Sequence, residues 1–178
     1  MGEVEGQVRS EELDAERDAR RRAALAQIRQ YPDPALRMQA LEVDEADEAV
    51  ADLVERMTRL MQEARGVGLA APQVGVLRRV LVYQTDDEEP VVALVNPRLT
   101  ASSEEQETLD EGCLSLGAAS VVLPVSRQAT VTVDAVTPGG EQVTVEAEGL
   151  EARVVQHELD HLDGVLILDR TSADDRRE

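Results

Sequence analysis

Between Asp44 and Arg65, apolar residues recur at Val50, Leu53, Val54, Met57, Leu60, Met61 and Ala64, the i, i+3, i+4 spacing of one helix face. Asp44 suits the N-cap of this helix and Gly66 the residue just past its end. Further along the pattern changes. Val80–Tyr83, Val91–Val95, Ala129–Val136 and Gln142–Ala147 are rich in Val and Thr and are bounded by Asp86-Asp87, Asn96-Pro97 and Pro138-Gly139-Gly140. They predict strands, the last two as a hairpin. Helical spacing returns from Leu150 to Leu162 and places Leu150, Val154, His157, Glu158 and His161 close together on one face, with Asp163-Gly164 as the stop. The order helix, strands, helix predicts a single α+β domain over residues 25–170. Residues 1–24 are dense in charge and poor in core-forming side chains, which predicts a solvated helical extension ended by Tyr31-Pro32-Asp33-Pro34. The polar residues 171–178 read as a disordered tail.

Composition narrows the function. The 178 residues hold 42% hydrophobic side chains but only two Tyr, no Phe and no Trp, so the core must be aliphatic. A formal net charge of −19 speaks against nucleic-acid binding, which needs Lys and Arg for phosphates, and against docking on anionic lipid. A single cysteine excludes an internal disulfide framework. No apolar run approaches the roughly 20 residues of a membrane span, and the acidic N-terminus resembles neither a secretory signal nor a transit peptide. The cytoplasm is therefore the expected compartment.

The sharpest chemical feature is His157-Glu158-Leu159-Asp160-His161. Histidines four apart share a helix face, so both rings can reach one ion, and the intervening Glu can take a proton from water beside it. These are the only histidines in the chain. A catalytic metal usually has three protein ligands and an open position. Downstream, Asp163 and Asp169 are the nearest acids and Glu178 is the only Glu; upstream stands Cys113, the one thiol, in Glu111-Gly112-Cys113-Leu114-Ser115. Gly112 and Ser115 favour an exposed turn or strand end for Cys113, although a lone cysteine is also a common small core residue. A third segment, Gly66-Val67-Gly68-Leu69-Ala70-Ala71-Pro72-Gln73-Val74-Gly75, reads as a tight turn open to close backbone approach by a ligand. It lacks the ending of a phosphate loop.

GVGLAAPQVG, EGCLS and QHELDH, in this order and at these separations, resemble the three signature motifs of the peptide deformylases. The similarity runs from about Ile28 to Arg170 and includes YPDPALR, LVNPRL and HLDGVLILDR. The resemblance implies small, mostly antiparallel sheets packed around a central HExxH helix, with an N-terminal helix. It implies Cys113, His157 and His161 as ligands of one divalent metal ion per chain, Fe²⁺ in many members, with Zn²⁺, Ni²⁺ or Co²⁺ accepted. It further implies Glu158 as the general acid/base and Gln73 with the backbone N–H of Leu114 as oxyanion donors. Gly66, Val67, Gly68 and Gly112 would then bind the substrate backbone, and Leu150 and Val154 would line a methionine pocket. The implied reaction removes formate from N-formylmethionyl nascent peptides.

Two departures qualify the resemblance. After CLS the family continues with an apolar residue, a Pro and soon an Arg, whereas this chain runs Leu116-Gly117-Ala118-Ala119-Ser120-Val121-Val122-Leu123. The missing Arg bears on the far end of the peptide, so an amidase for another acylated substrate is the alternative enzyme. The short acidic tail also lacks the long basic helix through which some members dock on the ribosome. A binding protein without turnover is the alternative of another class, against which the presence of Glu158 and Gln73 speaks.

Overall fold

A computed structural model describes residues 2–45 and 48–177, with side chains from 11 to 176. The chain forms helices α1 (Gly2–Leu25), α2 (Glu48–Glu63), α3 (Gly149–Leu162) and α4 (Ile167–Arg170). Seven strands accompany them: β1 (Gly68–Ala70), β2 (Val80–Tyr83), β3 (Val92–Ser102), β4 (Gln106–Gly112), β5 (Val122–Gln128), β6 (Thr130–Val136) and β7 (Gln142–Glu148). An antiparallel sheet of order β1-β2-β3-β6-β7 lies beside a separate β4-β5 ribbon, also antiparallel. The expected α+β class and the β6–β7 hairpin are both present.

The five-stranded sheet is buried on both faces at β2, and the period-2 alternation of a strand shows how. Val80 and Val82 pack into one cluster with Val50, Met57, Leu60 and Met61 of α2. Leu81 and Tyr83 point the other way, into a second cluster with Ala152, Val155, Leu159 and Leu162 of α3. The predicted α2 stripe thus supplies core at Val50, Met57, Leu60 and Met61, while these α3 core residues differ from the face that spacing had grouped around His157. Burying each such Leu or Met contributes about 1.5–3 kcal/mol. A third cluster, Cys113, Leu116, Leu123, Val125 and Ile167, sits under the ribbon.

Several local expectations are revised. Asp44 lies in a bend and α2 is described from Glu48, with residues 46–47 outside the described segments. At its other end Arg65, with φ of 59°, takes the left-handed position expected of Gly66, and Gly66 N–H closes the turn on Met61 O at 2.9 Å. Asn96-Pro97 is not a turn but a bulge within β3. Asn96 tolerates φ of 50° there, and its side-chain amide bonds both the N–H and the C=O of Val43. β1 had read as part of a loop, and β4 and β5 were not expected at all.

α1 packs by its last turns. Ala24 is fully buried in the α2 cluster, Arg21 donates to Ala64 O at 3.4 Å, and Asp18 pairs with Arg65 at 3.2 Å. At the opposite end of the chain, Thr171 is buried and Asp175–Arg177 form a short 3₁₀ turn.

Candidate metal and active site

Three elements converge on one point. The end of β4 delivers Cys113, α3 delivers His157, Glu158 and His161, and the 3₁₀ turn after β1 delivers Gln73. Cys113 Sγ lies 3.3 Å from His161 Nε2, which lies 3.2 Å from His157 Nε2. The ligand atoms of all three lie within 4.8 Å of one another. Cys113 is at a strand end as expected, but it is 3% exposed and therefore buried, not on an open turn.

The neighbours of these donors show that the set fits a cation. His157 Nδ1 faces Glu111 Oε2 at 3.1 Å. A proton on Nδ1 satisfies that carboxylate and leaves the Nε2 lone pair turned toward His161 and Cys113. Two imidazole lone pairs and a thiol sulfur at such distances call for positive charge between them. The titration tendencies agree. Burial disfavours a charged His157, yet its hydrogen bonds with Cys113 and Glu111 outweigh that and lift its pKa to about 10. Burial and the neighbouring His157 hold His161 well below the ordinary histidine value. The pair thus favours positive charge between the rings, the kind of place a cation can fill instead of a proton.

Behind the donors lies a charge network that sequence reasoning missed. Arg127 donates to both oxygens of Glu111, at 2.8 and 2.9 Å, and to Asp160 at 2.6 Å. Arg153 donates to Glu111 at 2.7 Å and to the carbonyls of Val125 and Glu107 at 3.0 and 2.7 Å. Arg170 clamps Asp160 through two bonds, at 3.0 and 2.6 Å. Burial would raise Glu111, but hydrogen bonds from Arg127 and His157 prevail and hold it near 2. It therefore stays a carboxylate and keeps His157 oriented. Its place two residues before Cys113 was the one signal in the sequence.

Glu158 is different. Burial raises its pKa to about 7, and its Oε2 is buried without a hydrogen-bond partner among the described residues. A carboxyl poised near neutrality can both take and return a proton. Gly68 makes room for it, since a Cβ there would lie 2.4 Å from Glu158 Oε1. Gln73 is fixed at both ends: Oε1 accepts from Ala70 N–H at 2.9 Å, while Nε2 donates to Ser115 Oγ at 3.1 Å and lies 3.9 Å from Cys113 Sγ.

A cavity of about 260 Å³ opens onto this group. Its lining brings together Gly66, Val67, Gly68, Gln73, Gly112, Leu114, Leu150, Val154 and Glu158, with Cys113 and His157. Val154 is buried, whereas Leu150 is 55% exposed at the rim. His161 lies behind, buried, its Nδ1 without a hydrogen-bond partner among the described residues. The rim beside Leu114 is strained. Gly117, Ala118 and Ala119 all have positive φ (58°, 55° and 66°), one turn of left-handed backbone. For each alanine this costs about 1–2 kcal/mol.

The family model for polypeptide deformylase matches residues 25–177. The chain belongs to the polypeptide deformylase family. It is 43% identical over 147 residues to the peptide deformylase of Natranaerobius thermophilus, covering 83% of this chain and 92% of that one. The Treponema pallidum (strain Nichols) peptide deformylase is 46% identical over 138 residues, 78% of this chain and 83% of its own. Among solved structures, the Thermotoga maritima peptide deformylase superposes with a TM-score of 0.77 at 43% identity, covering 82% of this chain and 96% of that one. The Synechococcus elongatus peptide deformylase, solved in complex with actinonin, gives 0.78 at 36% identity, covering 82% and 80%. The architecture is that of these deformylases. α1, up to residue 24, lies before the matched segment. No helix among the described residues is long and apolar enough to cross a membrane.

Proposed function

We propose that this deformylase hydrolyses the formyl amide of N-formylmethionyl peptides, giving formate and a free methionyl N-terminus. The observation that carries the reading is the meeting of one thiol and two imidazoles beside a buried, protonatable Glu158 at the base of a peptide-sized cavity. Cys113, His157 and His161 would hold a divalent ion, with Fe²⁺ proposed as the native metal. When bound, such an ion acidifies water and polarises a carbonyl oxygen.

The chain's own residues supply the rest. Glu158 accepts the proton of the attacking water and returns it to the leaving nitrogen, a role typically worth about 10²–10⁴-fold. Gln73, locked by Ala70 and Ser115, presents its Nε2–H beside Cys113. The Leu114 N–H has no acceptor among the described residues and borders the same cavity. Together they offer two donors to an oxyanion, each worth about 3–4 kcal/mol. Glu111 holds His157 in register, and Val154 with Leu150 provides the apolar wall for a methionine side chain. Gly66, Val67, Gly68 and Gly112 leave the backbone accessible on both sides of the substrate.

The test is formate release from formyl-Met-Ala-Ser by anaerobically prepared protein loaded with Fe²⁺, Ni²⁺ or Co²⁺, beside an acetyl-Met-Ala-Ser control. Formate from the first peptide and no acetate from the second is the expected result. No formate with any of the three metals would end the proposal.

A further inference from the structure

The oxyanion donor proposed above sits in a loop whose backbone is strained at its far end. Leu114 belongs to the run Cys113–Ser120, which lacks any proline and ends in the left-handed turn at Gly117, Ala118 and Ala119. Such backbone persists only when its surroundings hold it. Within the loop, Leu116 N–H and Ala119 N–H both bond Cys113 O at 2.9 Å. Ser120 N–H bonds Gly117 O at 3.1 Å, and Gln73 Nε2 holds Ser115 Oγ at 3.1 Å. The backbone carbonyls of Leu114 and Ser115 are tied instead by a segment far away in sequence. Gln30 Nε2 donates to Leu114 O at 2.8 Å, and Gln30 Oε1 accepts from Ala118 N–H at 3.4 Å. Next to it, Tyr31 N–H donates to Ser115 O at 2.8 Å. One amide side chain thus bridges the peptide next to the metal-binding cysteine and the first strained alanine.

We infer that Gln30 is a positioning residue: by bridging Leu114 O and Ala118 N–H, it fixes the Cys113–Ala119 turn so that the Leu114 N–H meets the developing oxyanion. Gln30 lies outside the cavity lining and touches neither substrate nor metal ligands. Its influence passes through the chain geometry at Leu114. A donor aimed at an oxyanion acts on the transition state more than on the bound peptide, so its misplacement lowers kcat more than it raises KM. Gln30 is on the surface, and water can replace part of its bonding. The expected loss is therefore a fraction of the ~10²–10³-fold seen on deleting such a donor, about fivefold to tenfold.

This inference rests on the deformylase reading, and the experiment separates the two. Full-length, metal-loaded parent, Gln30→Ala and Gln30→Glu are compared on formyl-Met-Ala-Ser for kcat and KM. Metal content and the affinity for the product Met-Ala-Ser, which has no formyl oxygen, are measured alongside. The expected result is kcat down by about fivefold to tenfold in Gln30→Ala, with product affinity and one metal per chain retained. Gln30→Glu keeps an acceptor for Ala118 N–H but sets a carboxylate against Leu114 O, and it should fall at least as far. An unchanged kcat in Gln30→Ala, or a loss found in metal content or product affinity, would overturn the inference. So would full activity in Gln30→Glu. A parent that releases no formate would instead sink the deformylase reading itself.

Discussion

Gly68→Ala probes the account where the geometry is tightest. An added Cβ would lie 2.4 Å from Glu158 Oε1 and 2.9 Å from its Cδ. Ordinary contact begins near 3.4 Å, so the carboxylate must retreat by about 1 Å. Residue 68 is not among the positive-φ glycines, and alanine is acceptable to the backbone. The atom displaced is the far end of a flexible side chain, and the folded state therefore yields cheaply. A modest gain of about 0.4–1 kcal/mol from a stiffer unfolded chain offsets part of the cost. Activity is another matter, because a misplacement near 1 Å costs on the order of 10²-fold. The expected outcome is a nearly unchanged Tm, an unchanged metal content and a kcat down by about 10²-fold, read by formate release. If the metal-loaded variant keeps kcat within about twofold of the parent, the assigned role of Glu158 is wrong.

Three more outcomes follow from the same site. Glu158→Ala should retain the metal and lose about 10²–10⁴-fold in kcat; full activity would refute general acid/base catalysis by this residue. Cys113→Ser should bind divalent metal far more weakly, measured by competition with a chelator, because a hydroxyl does not ionise near neutral pH as a thiol does. Glu111→Gln should cost about 3–5 kcal/mol in urea unfolding, since it leaves Arg127 and Arg153 with less than their full counter-charge in a buried site. Because the Glu111 pKa is lowered from 4.5 to about 2 in the folded protein, its stabilisation is complete above pH 4.5. It disappears as pH falls toward 2 and amounts to about 3 kcal/mol. Gln at 111 should flatten the acid side of the stability profile over that window, and an unaltered acid slope would contradict the linkage.

The parts of the fold that were legible in the sequence are those where one face is apolar at a clear period. The α2 stripe from Val50 to Ala64 and the β6–β7 hairpin meet that condition; the helix around His157, buried on nearly every side, was read from its spacing and its Asp163-Gly164 stop. β4 fails it: of Gln106–Gly112 only Glu111 is buried, so no alternation exists to read. β1 is three residues long and buried on every side, indistinguishable in sequence from the turn that follows it. The spacing of the two histidines was readable by itself, whereas the meeting with Cys113 was expected only through the resemblance, because a lone thiol reads equally as a small core residue. The carboxylate that orients His157 was not readable, because Glu111 and its partners Arg127 and Arg153 lie 16 and 42 residues apart. In a chain with 37 acidic residues, such a group looks like any surface charge. The burial of Cys113 likewise depends on Leu116, Leu123, Val125 and Ile167, which only the folded ribbon gathers around it.

X-ray absorption at the metal edge of the Ni²⁺- or Co²⁺-loaded protein tests the central claim most directly. One sulfur and two imidazole nitrogens should appear among the ligands, with the sulfur lost in Cys113→Ser. A spectrum of nitrogen and oxygen alone in the parent protein would contradict the ligand set, and with it the chemistry built upon it.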